Sequence, residues 1–151
     1  MSKIPYDPKS FYHWTEIPVR FRDLDPLNHV NNAVFFTYFE EARISFIRHV
    51  PVLRKSMREN KSFVLAKAEI DYIKPIELTD KEITVGSSVE SFGNSSLEGI
   101  QAIYSKHGKE LKAIARTTGV WFDLDRNRSK ASGSSYTGYT THRPASPGWR
   151  V

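Results

Sequence analysis

Val19-Arg-Phe-Arg-Asp-Leu-Asp-Pro-Leu-Asn-His-Val-Asn-Asn32 separates two stretches of different hydrophobic period, and its reading decides the fold. Upstream, Thr15, Ile17, Val19 and Phe21 alternate with Glu16, Arg20 and Arg22, the period of a strand with one buried face. Asp23, Asp25, Pro26 and Asn28 break the alternation. From Ala33 the period lengthens. Phe35, Phe39, Ala42 and Phe46 share a stripe flanked by Tyr38, Phe36 and Ile47, while Thr37, Glu40, Glu41 and Arg48 fall elsewhere. An amphipathic helix ending near His49 is expected, so the order is strand, polar turn, helix.

The join between turn and helix is where chemistry can sit. Asn31 suits the N-cap, because its side-chain oxygen can accept a backbone N–H further along the first turn. That leaves the Asn32 amide unpaired at the positive end of the helix dipole, a donor suited to a carbonyl oxygen or an oxyanion. Asp25 precedes it by seven residues, on the turn. A carboxylate beside an oxyanion donor is the minimum for cleaving an acyl group, with Asp25 as general base or nucleophile. The same residues also make an ordinary helix start. His29 has no second histidine at metal-ligand spacing, so no metal site is expected.

At 151 residues and 39% hydrophobic content the chain suits one domain with a core. There is no cysteine, which excludes a disulfide framework, a thiolate nucleophile and a cysteine metal site. Neither a signal-peptide core nor a stretch approaching a membrane span is present, so a cytoplasmic location is expected. The net charge of +5 is local. Through residue 125 seventeen acids balance seventeen bases, and Arg126, Arg128, Lys130, Arg143 and Arg150 supply the whole excess.

Three segments follow. Residues 1–14 read as an arm packed on the domain surface, 15–125 as the domain, and 126–151 as a basic tail rich in Ser, Gly, Thr and Pro. In the tail, Tyr136, Tyr139, His142, Arg143, Trp149 and Arg150 interleave aromatics with bases; with so few charges, nucleic-acid binding is not expected. Inside the domain, Pro51 blocks the first helix and Val52–Asn60 suits a short second one, whose Arg54, Lys55 and Arg58 read as a solvated face. Phe63–Tyr72 alternates, with Val64, Ala66, Ala68, Ile70 and Tyr72 on one face and Leu65, Lys67, Glu69 and Asp71 on the other. Ile83 to about Ser91, Ser95–Tyr104 and Leu111–Phe122 follow as strands, joined at Gly93-Asn94 and His107-Gly108. One long helix with an antiparallel sheet is an α+β arrangement in which the sheet buries the helix stripe.

Residues 20–33, followed by Tyr38-Phe-Glu-Glu-Ala-Arg43, resemble the opening motif of the hotdog-fold acyl-CoA thioesterases of the 4-hydroxybenzoyl-CoA thioesterase type. The likeness combines a D-x-D pair, an H-V-N-N step and an F-E-E-A-R helix, and continues more weakly to Asp125. It implies a hotdog fold, in which a five-stranded antiparallel sheet wraps one long central helix. It places the family's catalytic aspartate on Asp25 and its oxyanion donor on the Asn32 amide, with His29 and Asn31 shaping the turn or touching the thioester. Asn28 stands where many relatives have glycine; asparagine tolerates the left-handed region well enough to keep the turn. Asp23 either bonds the turn or perturbs Asp25, the structural role being the expected one. The resemblance implies hydrolysis of an acyl-CoA without metal or redox cofactor by a homodimer or homotetramer. An acyl carrier protein as carrier, or an acyl-thioester-binding protein without turnover, is the alternative.

Overall fold

The computed structural model describes residues 7–105, 107–126 and 128–129. Among them β1 (His13–Pro18) leads through a 3₁₀ turn at Phe21–Asp23 to α1 (Asn32–His49), and α2 (Pro51–Arg58) follows directly. Then come β2 (Lys61–Tyr72), β3 (Glu82–Phe92), β4 (Ser96–Ser105), β5 (Glu110–Asp123) and the two-residue β6 (Arg128–Ser129). The sheet is antiparallel in the order β1-β3-β4-β5-β2, with β6 added against the far end of β5. This is the expected hotdog arrangement.

The stripe read from the sequence is the buried one. Phe35, Tyr38, Phe39 and Ala42 of α1 are at most 3% exposed and pack on Ile17, Ile83, Val85, Ile103, Ala113 and Ala115 of the sheet. Each large side chain so buried contributes about 1.5–3 kcal/mol, which is why this stripe fixes the helix on the sheet. Pro51 stands in the first turn of α2, where its missing N–H costs nothing, and Arg54, Lys55 and Arg58 are exposed.

Four details differ from expectation. β1 stops at Pro18, and Phe21, placed on the buried face, is 79% exposed. The Asp23 carboxylate accepts the Arg20 amide at 3.0 Å and closes a turn there, which ends the alternation early. The first segment is more than a surface arm, because Phe11 is buried against Ile100, Ala102, Tyr104 and Ile114 on the face of the sheet away from α1, and His13 and Trp14 already belong to β1. β2 carries a bulge between Leu65 and Lys67 that reverses its parity. Phe63 and Leu65 therefore face α1 before the bulge and Ile70 after it, so Leu65 is not on the outer face. Finally, Arg128 and Ser129 extend the sheet within the segment read as tail, and Arg126 before them lies 3.7 Å from the Asp123 carboxylate; residues 127 and 130–151, and the arm before Asp7, lie outside the described residues.

Candidate active site

The turn before α1 is held as a small antiparallel loop. Leu24 bridges Val30, the Asp25 amide donates to the His29 carbonyl at 2.8 Å, and the Asn31 amide donates to the Asp23 carbonyl at 2.9 Å. At its tip the Asn28 amide donates to the Asp25 carbonyl at 3.0 Å, with Asn28 at φ 59°. The asparagine thus adopts the left-handed conformation that glycine would supply. The loop is tied to the stretch after β2, where Val30 donates to the Ile76 carbonyl at 2.8 Å and His29 bridges Glu77.

This frame sets each expected residue. Asp25 is half-buried; its Oδ1 accepts the Leu27 amide at 2.9 Å, and Oδ2 takes no donor among the described residues. Asn31 commits its Oδ1 to the Ala33 amide at 2.9 Å and caps α1. The Asn32 amide, first in the helix, has no acceptor among the described residues, while the Asn32 carbonyl accepts the Tyr72 hydroxyl from the end of β2 at 3.1 Å. His29 turns its Nε2 toward Glu77, 3.5 Å from Oε1.

Asp23 anchors the assembly from beneath. It is 9% exposed, and Oδ2 accepts the Tyr38 hydroxyl at 2.6 Å as well as the Arg20 amide. Burial, and then the Asp23 carboxylate, push the Tyr38 hydroxyl's pKa far above its ordinary value, so it stays a donor. One side chain thus joins the loop carrying Asp25 to the second turn of α1. Spacing assigns Tyr38 only to the flank of the apolar stripe and reveals no partner fifteen residues upstream. Among the described residues no group of three or more His, Asp or Glu is gathered as a metal-binding set.

A family model described as the thioesterase-like superfamily matches residues 19–144. The chain belongs to that superfamily. The matched range runs beyond residue 125 into the segment read as tail. Long-chain acyl-CoA thioesterase FadM of Escherichia coli is 30% identical over 117 residues, which are 78% of this chain and 88% of FadM. The probable thioesterase YbaW of Escherichia coli superposes with a TM-score of 0.72 at 27% identity, over 85% of this chain and 96% of that one. A Thermus thermophilus thioesterase, solved with coenzyme A and Zn, is 39% identical with a TM-score of 0.61, over 72% and 78% of the two chains. The chain spans 58% of the length of Bacillus subtilis YsmA, at 33% identity over 90 residues. Family and relatives make this thioesterase-like chain a hotdog thioesterase, a hydrolase of thioesters.

Proposed function

We propose that the chain hydrolyses acyl-CoA to a free acid and CoA at the turn between Asp25 and α1. The observation that carries this reading is the unpaired Asn32 amide at the start of an 18-residue helix, with Asp25 held on the loop hydrogen-bonded to that helix start. The thioester carbonyl oxygen faces the Asn32 amide, where the helix end stabilises the negative charge that develops as the carbon becomes tetrahedral. Asp25 takes a proton from an attacking water, or attacks the carbonyl carbon itself to give an anhydride that water then cleaves. In either course the C–S bond breaks, the thiolate leaves and is protonated, and the acid is released. That FadM is named for long-chain acyl-CoA supports CoA as the carrier.

The test is release of CoA thiol from short, medium and long acyl-CoAs and aryl-CoAs by wild type and Asp25→Asn; the absence of cysteine keeps that signal clean. Turnover is expected to fall about a hundredfold or more in the variant. Retained turnover would refute the role of Asp25, and wild-type turnover only on acyl carrier protein thioesters would move the carrier. We further propose that the protein works as a homodimer or homotetramer, the closed symmetric assemblies most soluble oligomers adopt.

A further inference from the structure

Among the described residues Lys112 is the only buried base, at 4% exposed, and it interrupts the apolar run from Leu111 to Ala115 near the start of β5. A lysine is almost never withdrawn from water unless its charge is met. Here its Nζ donates to the Pro75 carbonyl at 2.9 Å and to Glu110 Oε1 at 2.7 Å, and lies 3.4 Å from Asp80 Oδ2. The register of β5 against β4 explains how a strand residue reaches these partners. Ile103 pairs with Ala113 and Tyr104 with Leu111, so Lys112 is the extra residue of a bulge, which re-aims its side chain out of the regular alternation.

What Lys112 holds is the connection between β2 and β3. Its carbonyl accepts the Ile73 and Lys74 amides at 2.9 and 3.0 Å, and its ammonium takes the Pro75 carbonyl at one end of the following turn and the Asp80 carboxylate at the other. Asp80 Oδ2 also accepts the Glu77 amide at 2.9 Å. Between these fixed points stand Ile76, whose carbonyl accepts the Val30 amide at 2.8 Å, and Glu77, which bridges His29. His29 and Val30 form the returning side of the loop that carries Asp25, since the Asp25 amide donates to the His29 carbonyl. Lys112 makes no bond to Asp25 or Asn32 among the described residues, and reaches them only through residues 75–80.

We propose that Lys112 is a positioning residue for thioester hydrolysis: by clamping Pro75 and Asp80 it fixes the shelf on which the Asp25 loop docks, and so sets the Asp25 carboxylate relative to the Asn32 amide. The proposal rests on the roles given above to those two groups. A shift of about 1 Å in a reacting group can cost about 10²-fold in rate, so a clamp outside the site is felt in turnover. Asp80 and Glu110 line a groove of about 500 Å³ that opens to solvent. Water can therefore reach both carboxylates once the ammonium is removed, and Lys112→Met is expected to fold.

CoA release from the acyl-CoA that wild type turns over fastest tests it in the full chain. Lys112→Met is expected to lower kcat about tenfold or more while KM changes by less than about threefold. Added to Asp25→Asn it should lower the residual turnover no further, because residues that act through one step are not additive. Gly86→Ala, which crowds the face of the sheet away from α1, controls for lost stability and should keep the wild-type kcat. Hydrogen exchange supplies a readout without substrate: the Val30 amide should exchange faster in Lys112→Met, while the β3–β4 ladder exchanges as in wild type. Should Lys112→Met not fold, Asp80→Asn removes one charge of the clamp and carries the same expectations, with a kcat loss of about threefold. Wild-type kcat in whichever of the two variants folds overturns the proposal, as does an undiminished further loss on top of Asp25→Asn. Turnover that survives Asp25→Asn alone would instead strike the reading on which the proposal rests.

Discussion

The Asn32 amide is a backbone group, yet its contribution is open to mutation because of where it stands. Proline is well accommodated in the first turn of a helix, and Asn31, at φ −57° and ψ 138°, already has the extended backbone that a following proline requires. Asn32→Pro is therefore expected to keep the fold while deleting the donor, lowering kcat about 10²–10³-fold with little change in thermal midpoint. Full activity in a folded Asn32→Pro protein would remove that amide from the mechanism. Beneath the same turn, Tyr38→Phe leaves the buried Asp23 carboxylate without its 2.6 Å donor. The expected loss is about 1–3 kcal/mol in urea unfolding, since the buried carboxylate keeps only the Arg20 amide and loses a hydrogen bond to a charged acceptor. The roles open to Asp25, Asn31 and Asn32 were legible from the chain because they depend on helix-end geometry, which is local. The Asp23–Tyr38 bond was not, because it joins residues that only the packing of α1 beside the turn brings together.

At the level of elements, the face of the sheet away from α1 is closed by the segment before β1. Phe11 lies across β3 at Gly86, where an added Cβ would stand 2.5 Å from the Phe11 ring. Gly86→Ala should destabilise the protein by about 1–3 kcal/mol through overpacking, and pairing it with Phe11→Leu should recover part of that loss in the same unfolding assay. The start of β1 also meets the last turns of α1. The His13 ring lies 4.6 Å from that of His49, tilted by 39°, and its Nε2 lies 3.1 Å from the Ser45 hydroxyl. Burial, then repulsion from His49, hold the His13 pKa below its ordinary value of 6.5. The folded chain thus binds this proton less readily than the unfolded chain, so this stability is intact above pH 6.5 and is lost as pH falls below it. Urea midpoints followed between about pH 7.5 and pH 5 should decline less in His49→Gln than in wild type. The elements themselves were readable from period, since α1 and the strands keep 3.6- and 2-residue spacing. The bulge in β2 was not. A one-residue slip leaves the composition unchanged, so only pairing with β5 shows that Leu65 faces inward.

For the whole molecule, the 12-residue β2 stands last in the strand order β1-β3-β4-β5-β2, and the proposed assembly is read from mass. Light scattering at micromolar concentration should return the mass of two or four chains; a strictly monomeric mass would count against the proposed assembly. Among the described residues no helix is long and apolar enough to cross a membrane. The sequence by itself determined the order of elements, the stripe of α1 that is buried and the Asn31 cap that leaves the Asn32 amide without a helical acceptor, because each follows from short-range periodicity and turn chemistry. Tertiary structure alone decided the strand order, the burial of Phe11 and Asp23, and the bond from the Gln101 side chain of β4 to the Phe39 carbonyl of α1. Those depend on contacts between residues far apart in the chain, which no local spacing records.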